Sequence, residues 1–291
     1  MTTRILREFT YLEPKTVQEA TSMLSQYNGE AKPLAGGTDL FIYMKTRQLK
    51  PKYIVNVKKI PEFRGLRSES DGLHIGAATT IRALERSDLI AKQYPLLTDV
   101  ISSFGSVQIR NMATIGGNIC NASPGADFAA PLLALGTQLS IVAPSGERKM
   151  PLEEFFTGPN LSNLQTDELL VELILPVPKT GTGSAFIKLR RVSMDLCKVN
   201  VAAVLTVKGG VCEEVSIAMG AVAPTPVRAK NAEAMLKGKP LTNQTIESAA
   251  SAASVESKPR TSLRSTAEYK REVVRALVKR CLNLALKRGG G

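Results

Sequence analysis

Residues 110–127 read RNMATIGGNICNASPGAD. The stretch holds two adjacent glycines, a run of small residues, three asparagines, one Thr, one Ser and one Asp, and neither a histidine nor a carboxylate pair. It offers exposed backbone rather than reactive side chains. Glycine reaches positive φ and lacks the Cβ that would block close approach, so successive amides can turn toward one anion. A helix start adds its partial positive charge. A second stretch, PLAGGTDL at 33–40, repeats the pattern with Thr38 beside Gly36 and Gly37. A dinucleotide pyrophosphate asks for such a setting: several neutral donors and little bulk around two phosphates. Neither loop matches GxGxxG or GxxxxGK[ST], which excludes the Rossmann and P-loop readings. A glycine pair also makes an ordinary turn, so the residues lead to a candidate dinucleotide site and no further.

Composition narrows the class. The chain has 291 residues, enough for a sizeable core and more than one domain. Its 43% hydrophobic and 22% charged residues are those of a soluble globular protein. Apolar runs such as VAAVLTV are of strand length, so no membrane partner is expected. The opening MTTRILREFTYLEP is charged throughout and reads as lacking a secretory segment, which predicts a cytoplasmic protein. Cys120, Cys197, Cys212 and Cys281 are scattered, with no CxxC pair and no ligand spacing to the single histidine, His74. They read as free thiols, and no metal site is expected. The net charge of +12 raises nucleic acid as a partner, but the basic residues are dispersed and aromatic residues make up only 5%. No nucleic acid is therefore expected, and a basic nucleic-acid-binding protein stands as the alternative from another class.

Periodicity predicts three segments. TVQEATSMLSQYN has a helical face at Val17, Ala20, Met23 and Leu24, a capping box at Thr16 and Glu19, and a stop at Asn28-Gly29. AKPLAGG is a strand entering glycines. TDLFIYMKTRQ is a helix capped by Thr38 or Asp39, and KYIVNV is a strand. Next come a strand at GLHIGAATT and a helical run, TIRALERSDLIAKQYPLLTDVISSFG, broken only at Pro95. Beyond the glycine stretch, PLLALG reads as a helix turn, followed by strands at QLSIVAP and DELLVELILPVP. PVPKTGTGS at 176–184 is the linker. SAFIKLRRVSMDL, VNVAAVLTVKGG and VCEEVSIAMGAV then alternate as an antiparallel meander. A last helix has one apolar face of Val274, Leu277, Val278, Cys281, Leu282 and Ala285. The fold class is α+β, divided at 1–56, 57–177 and 182–291.

PLAGGTDL, QIRNMATIGGNICNASPGAD and FIKLRRVSMDL together resemble the FAD-binding (medium) subunit of the molybdenum hydroxylase family, the xanthine dehydrogenase and carbon monoxide dehydrogenase group. The resemblance covers nearly the whole chain. It implies a two-subdomain FAD-binding fold of the vanillyl-alcohol-oxidase type plus a C-terminal α+β domain. It implies that Pro33, Leu34, Ala35, Gly36, Gly37, Thr38, Asp39 and Leu40 meet the pyrophosphate. Thr114, Ile115, Gly116, Gly117 and Asn118 would face phosphates and ribityl chain. Asp127 would accept from a cofactor hydroxyl, Phe104 would pack along the cofactor, Leu170 would give a backbone contact, and Lys188 would stand near the isoalloxazine. The implied partners are a molybdopterin-binding large subunit and a [2Fe-2S] small subunit in a dimer of heterotrimers. Electrons would pass singly to FAD and on to NAD⁺ or another acceptor, and no catalytic side chain is assigned to this chain.

Each residue also has a plainer reading. Asp127 serves equally as the cap of the PLLALG helix, Phe104 as core, and Lys188 as a solvated strand charge. Arg190, Arg191 and Asp195 suit a structural ion pair, and His74 a structural place in its strand. Gly125 leaves no side chain where some relatives carry an apolar one. A non-catalytic assembly subunit without FAD is the second alternative.

Overall fold

A computed structural model describes residues 6–290; the reading of the first five residues as non-secretory lies outside them. Strand β1 (Thr10–Leu12), helix α1 (Val17–Gln26), β2 (Ala31–Leu34), α2 (Leu40–Lys45) and β3 (Tyr53–Asn56) form a parallel sheet of order β1-β3-β2. Thr16 Oγ1 accepts from the Glu19 amide at 3.1 Å, as a cap should. The return bond of the predicted box is displaced by one residue: Glu19 accepts from the Lys15 amide at 2.7 Å. Asn28 (φ 27°) and Gly29 (φ 83°) turn the chain out of α1, the conformation that makes this dipeptide a helix stop. Asp39 occupies the cap position of α2 but makes no capping hydrogen bond. Parallel pairing directs the ends of β2 and β3 the same way, so the glycines after β2 emerge at the carboxyl edge, where such sheets bind ligands.

The second sheet is antiparallel. Its hairpin β4 (Leu66–Glu69) and β5 (Gly72–Gly76) is separated by six helices from β6 (Gln138–Ala143) and β7 (Gly146–Pro151). After the small pair β8 (Phe156–Gly158) and β9 (Leu161–Ser162), the strand β10 (Leu169–Leu175) returns to the centre, giving β4-β5-β10-β6-β7. The helical run expected to break only at Pro95 also breaks before Asp88, giving α3 (Ile81–Glu85), α4 (Asp88–Gln93) and α5 (Pro95–Ser102). Ser87 accepts from the Ile90 amide to start α4, and Pro95 takes the first turn of α5, where its missing N–H costs nothing. Then follow α6 (Val107–Met112), α7 (Ile115–Cys120) and α8 (Ala129–Ala134). The glycine stretch is therefore not a bare loop, because α7 runs through Gly116 and Gly117. Strand β7 escaped prediction because its exposed, charged residues carry no apolar alternation.

The third sheet is the predicted meander, β11 (Thr182–Leu189), β12 (Val199–Lys208), β13 (Val211–Gly220) and β14 (Val227–Arg228). Strand β11 opens at Thr182, so the irregular connection is 176–181 rather than 176–184. Ala185, Val201, Ala203, Ile217 and Met219 pack with the buried faces of α9 (Lys230–Leu236), α10 (Asn243–Glu256) and α11 (Ala267–Arg288), including all six residues of the predicted stripe. On the opposite face Phe186, Ala202 and Ala218 join the core shared with α5 and α8. Burial on both faces explains why these strands are nearly continuous in apolar residues.

Asp99 on α5 is the polar centre of that seam. Its carboxylate accepts from Arg288 Nη1 (2.6 Å) and Nη2 (3.1 Å) and from the Phe186 amide (3.3 Å). Arg288 also donates to the Ser184 carbonyl at 2.9 Å. Asp99→Ala strips the partner from a buried amide, and a loss of about 1–3 kcal/mol in chemical denaturation is expected.

Candidate functional site

A groove of about 270 Å³ lies where the loop after β2, the start of α7 and the start of β10 meet. Pro33, Ala35, Gly36, Gly37, Thr38, Asp39 and Leu40 line it from the first sheet. Thr114, Gly116, Gly117 and Asn118 line it from α7, and Phe104 and Leu170 close it. Two distant segments of sequence thus share one cavity. Leu34 and Ile115 turn away into the core, at 4% and 0% exposure. Asp127 and Lys188 are not among the lining residues. They adjoin that wall through their neighbours: Lys188 Nζ approaches the carbonyl of Ser103, next to Phe104, and the Phe104 ring meets that of Phe128, next to Asp127, at 5.4 Å.

The glycines at this site are dictated by contact. A Cβ on Gly36 would strike the Met112 carbonyl oxygen and reach 2.9 Å from Ala113 Cα, so the first loop could not lie against the end of α6. A Cβ on Gly116 would meet Ala77 Cβ at 2.5 Å and its oxygen at 2.6 Å. Gly37 has φ 73°, which completes the turn into α2. The amides divide their tasks. Those of Ile115, Gly116, Gly117 and Asn118 bond within the protein, to Thr79 O, Ala77 O, Thr114 Oγ1 and Thr114 O. Those of Gly36, Gly37, Thr38 and Asp39 donate no hydrogen bond within the described residues. These free donors beside a helix start suit a phosphate group, so the cradle fits a dinucleotide. Asn118 Oδ1 accepts from the Phe128 amide at 3.3 Å, which leaves its amide nitrogen for the groove.

Charge is sparse here and mostly paired. Lys188 Nζ meets Asp127 Oδ2 at 2.8 Å, with side-chain exposures of 2% and 7%. Burial outweighs the pull of Lys188 and holds the Asp127 carboxyl above the usual range. Its other oxygen, Oδ1, is buried without a partner, an acceptor waiting for a hydroxyl. Asp127 does not cap α8, whose cap position belongs to Phe128. Lys188 is no solvated strand charge, and Nζ also approaches the Ser103 carbonyl at 3.5 Å. Asp39 is exposed at the rim, yet the groove wall partly desolvates it and raises its carboxyl pKa. Cys120 lines the groove as a thiol pushed up to about 12 by burial, so it is inert at neutral pH.

Sequence reasoning missed Val57, Phe63, Ala78 and Leu169, which form an apolar end of the groove. Nothing in their spacing marks them, because they come from four separated segments. The expected ion pair reduces to Arg191 with Asp195 at 3.5 Å, while Arg190 donates to the Ser103 carbonyl at 2.9 Å. His74 is structural in setting, 6% exposed, with Nδ1 3.2 Å from Glu172 and Nε2 2.9 Å from Asp71. Burial lowers its pKa, but these bonds and nearby Glu69 outweigh that and leave it raised. Glu69, Asp71 and His74 do bring ligand atoms within 4.8 Å of one another, a grouping their spacing did not suggest. Arg67 pairs with both Glu69 and Glu172, so the cluster is largely neutralised from within. A Cβ on Gly125 would meet only Cys197 Sγ, at 3.5 Å, so that position is roomy.

Residues 7–178 match the family of FAD binding domains in molybdopterin dehydrogenase, and residues 184–285 match the CO dehydrogenase flavoprotein C-terminal domain. The chain belongs to the FAD-binding medium subunits of the molybdenum hydroxylases. It is 36% identical over 280 residues to the carbon monoxide dehydrogenase medium chain of Hydrogenophaga pseudoflava, spanning 96% of this chain and 98% of that one. It is also 36% identical over 284 residues to the xanthine dehydrogenase FAD-binding subunit of Escherichia coli O157:H7, spanning 97% of each. A solved carbon monoxide dehydrogenase from H. pseudoflava superposes with a TM-score of 0.95 at 37% identity, over 98% of this chain and 99% of that one. The mixed α+β architecture is that of these medium chains. Membership makes this chain the flavoprotein component of an oxidoreductase, with FAD as its cofactor. No helix among the described residues is long and apolar enough to cross a membrane.

Gly36→Ala is expected to force the first loop away from Met112. Flavin affinity should fall at least tenfold, with a stability loss of about 1–3 kcal/mol, read by flavin titration and thermal melting.

Proposed function

We propose that FAD lies extended along this groove and that the chain relays electrons from a [2Fe-2S] subunit to NAD⁺ or another acceptor. The observation that carries the reading is the convergence of the two glycine loops, from different sheets, on one cavity with free amides on one side. The amides of residues 36–39 hold the pyrophosphate, and the α7 start with Asn118 borders the sugar chain. Phe104 packs along the cofactor, and Leu170 sits at the apolar end. Bound FAD supplies the conversion between one-electron input and two-electron output, while the protein binds and orients it.

Asp127 and Lys188 act as a unit. Asp127 presents its unpartnered Oδ1 to a cofactor hydroxyl, and Lys188 keeps that carboxylate in place while lending positive charge to the ring edge. Buried charges of this kind interact strongly because little water screens them. Residues 1–56 and 57–177 form the two gripping subdomains, and 182–291 the closing domain. The assembly is a dimer of heterotrimers with a molybdopterin-binding large subunit and an iron–sulfur small subunit. It resides in the cytoplasm.

The purified chain is expected to show flavin bands in the near-ultraviolet and blue and to release FAD, not FMN, on denaturation. A colourless protein that also fails to take up added FAD sinks the electron-transfer reading and leaves an assembly role. Lys188→Met should make the flavin midpoint potential more negative, by about 30 mV for each 1.4 kcal/mol of lost stabilisation of the reduced anion. An unchanged potential and turnover remove Lys188 from the proposal.

A further inference from the structure

The net charge of +12 is concentrated in one part of the chain. Residues 182–291 carry 19 Lys and Arg against 8 Asp and Glu, a net of +11, which leaves +1 for residues 1–181. The FAD groove belongs mostly to the nearly neutral part, so cofactor binding does not account for the excess. Several of the C-terminal cations are spent on fixed partners: Arg228 on Glu233, Arg275 and Lys279 on Glu247, and Arg288 on Asp99. Arg260 and Arg264, on one of two exposed loops, make no ion pair among the described residues.

One loop, 190–198, joins β11 to β12 and exposes Val192 (56%), Met194 (65%) and Leu196 (52%). The other, 257–266, joins α10 to α11 and exposes Leu263 completely, at 110%, between exposed Arg260 and Arg264. The two loops adjoin one strip of backbone. Cys197 Sγ of the first reaches the Gly125 carbonyl at 3.5 Å, the Ala221 amide donates to the Pro124 carbonyl at 2.7 Å, and the Lys258 amide of the second donates to the Val222 carbonyl at 2.8 Å. Lys270, buried beneath the second, donates to the Arg260 carbonyl at 3.0 Å. Both are braced. Ser262 and Ser265 exchange backbone bonds at 3.0 and 3.2 Å, so Leu263 caps a tight turn, and Cys197 Sγ packs against the Gly125 carbonyl at 3.5 Å. Four large apolar side chains held out in water beside two arginines are a costly surface for a free chain. Methionine and arginine at an apolar centre are also enriched where proteins meet.

We infer that these two loops form a docking surface for a companion protein subunit that presents carboxylates around an apolar centre. The inference rests on the reading of this chain as one component of a heteromeric complex. Charge complementarity selects the occupant. A second copy apposing the same patch would set arginines against arginines, which a two-fold interface repeats on both sides. Nucleic acid would leave Met194, Leu196 and Leu263 without apolar partners and finds no stacking platform there.

The test is assembly of the complete complex by co-expression with its companion subunits, followed by native mass spectrometry and size exclusion. The pair Arg260→Glu and Arg264→Glu, and separately Leu263→Asp, are expected to weaken assembly about tenfold or more. Wild-type assembly should weaken with added salt. The melting temperature and flavin content of the isolated chain should not change. The pair Lys237→Glu and Lys239→Glu makes the same change in charge at the far end of the sheet and should assemble normally. Patch variants that assemble like wild type overturn the inference, as does an equal defect in the distal pair. Loss in the variants of a homodimer, of DNA retention or of binding to anionic vesicles, with the heteromer intact, overturns it as well. A wild-type chain without FAD defeats the flavin reading alone, because assembly is scored independently of colour.

Discussion

The groove exists because backbone touches backbone at two glycines. Gly36 brings the loop after the parallel sheet against the carbonyl of Met112, and Gly116 brings α7 against Ala77 at the end of β5. Neither contact survives a Cβ. Together they set two separate loops on either side of one cavity, at a spacing that side chains would forbid. The usual view of glycine as a flexible residue fits poorly here: these two are among the least replaceable positions because they are closely packed.

The amides divide in consequence. Those of α7 are occupied in building the wall, while those after Gly36 remain available for an anion. The buried pair of Asp127 and Lys188 follows the same logic. Each charge is tolerated because the other is 2.8 Å away, and the carboxylate oxygen left over is oriented by that pairing. Lys188 comes from the third sheet and Asp127 from the loop before α8, so the pair also records how the C-terminal part is seated. Asp99 and Arg288 seat the same strand, β11, at Phe186 and Ser184.

The third sheet shows why this seating is firm. Its strands alternate between a face owned by α9–α11 and a face shared with α5 and α8. With both faces apolar, the C-terminal part cannot swing away without exposing core. Loops 190–198 and 257–266 are therefore carried on elements packed from both sides.

Much of this was legible in the sequence. The capping threonine of α1, the meander, the stripe along α11 and the pairing of glycines with Thr38 and Thr114 are local or periodic features, and local geometry decides them. The family resemblance rested on such short-range patterns too. Other features were not legible because they are set by partners distant in sequence. The Ser87 cap split the predicted run at 80–105 a second time, a charged edge strand gave no alternation, and α7 ran helically through a glycine pair because Ala77 packs against it. The sequence alone determined the elements, their apolar faces and the backbone-rich chemistry of two loops. Tertiary structure alone decided that those loops share one cavity, that Asp127 and Lys188 meet, and that Arg288 reaches Asp99, because through-space contact between distant residues leaves no trace in their spacing.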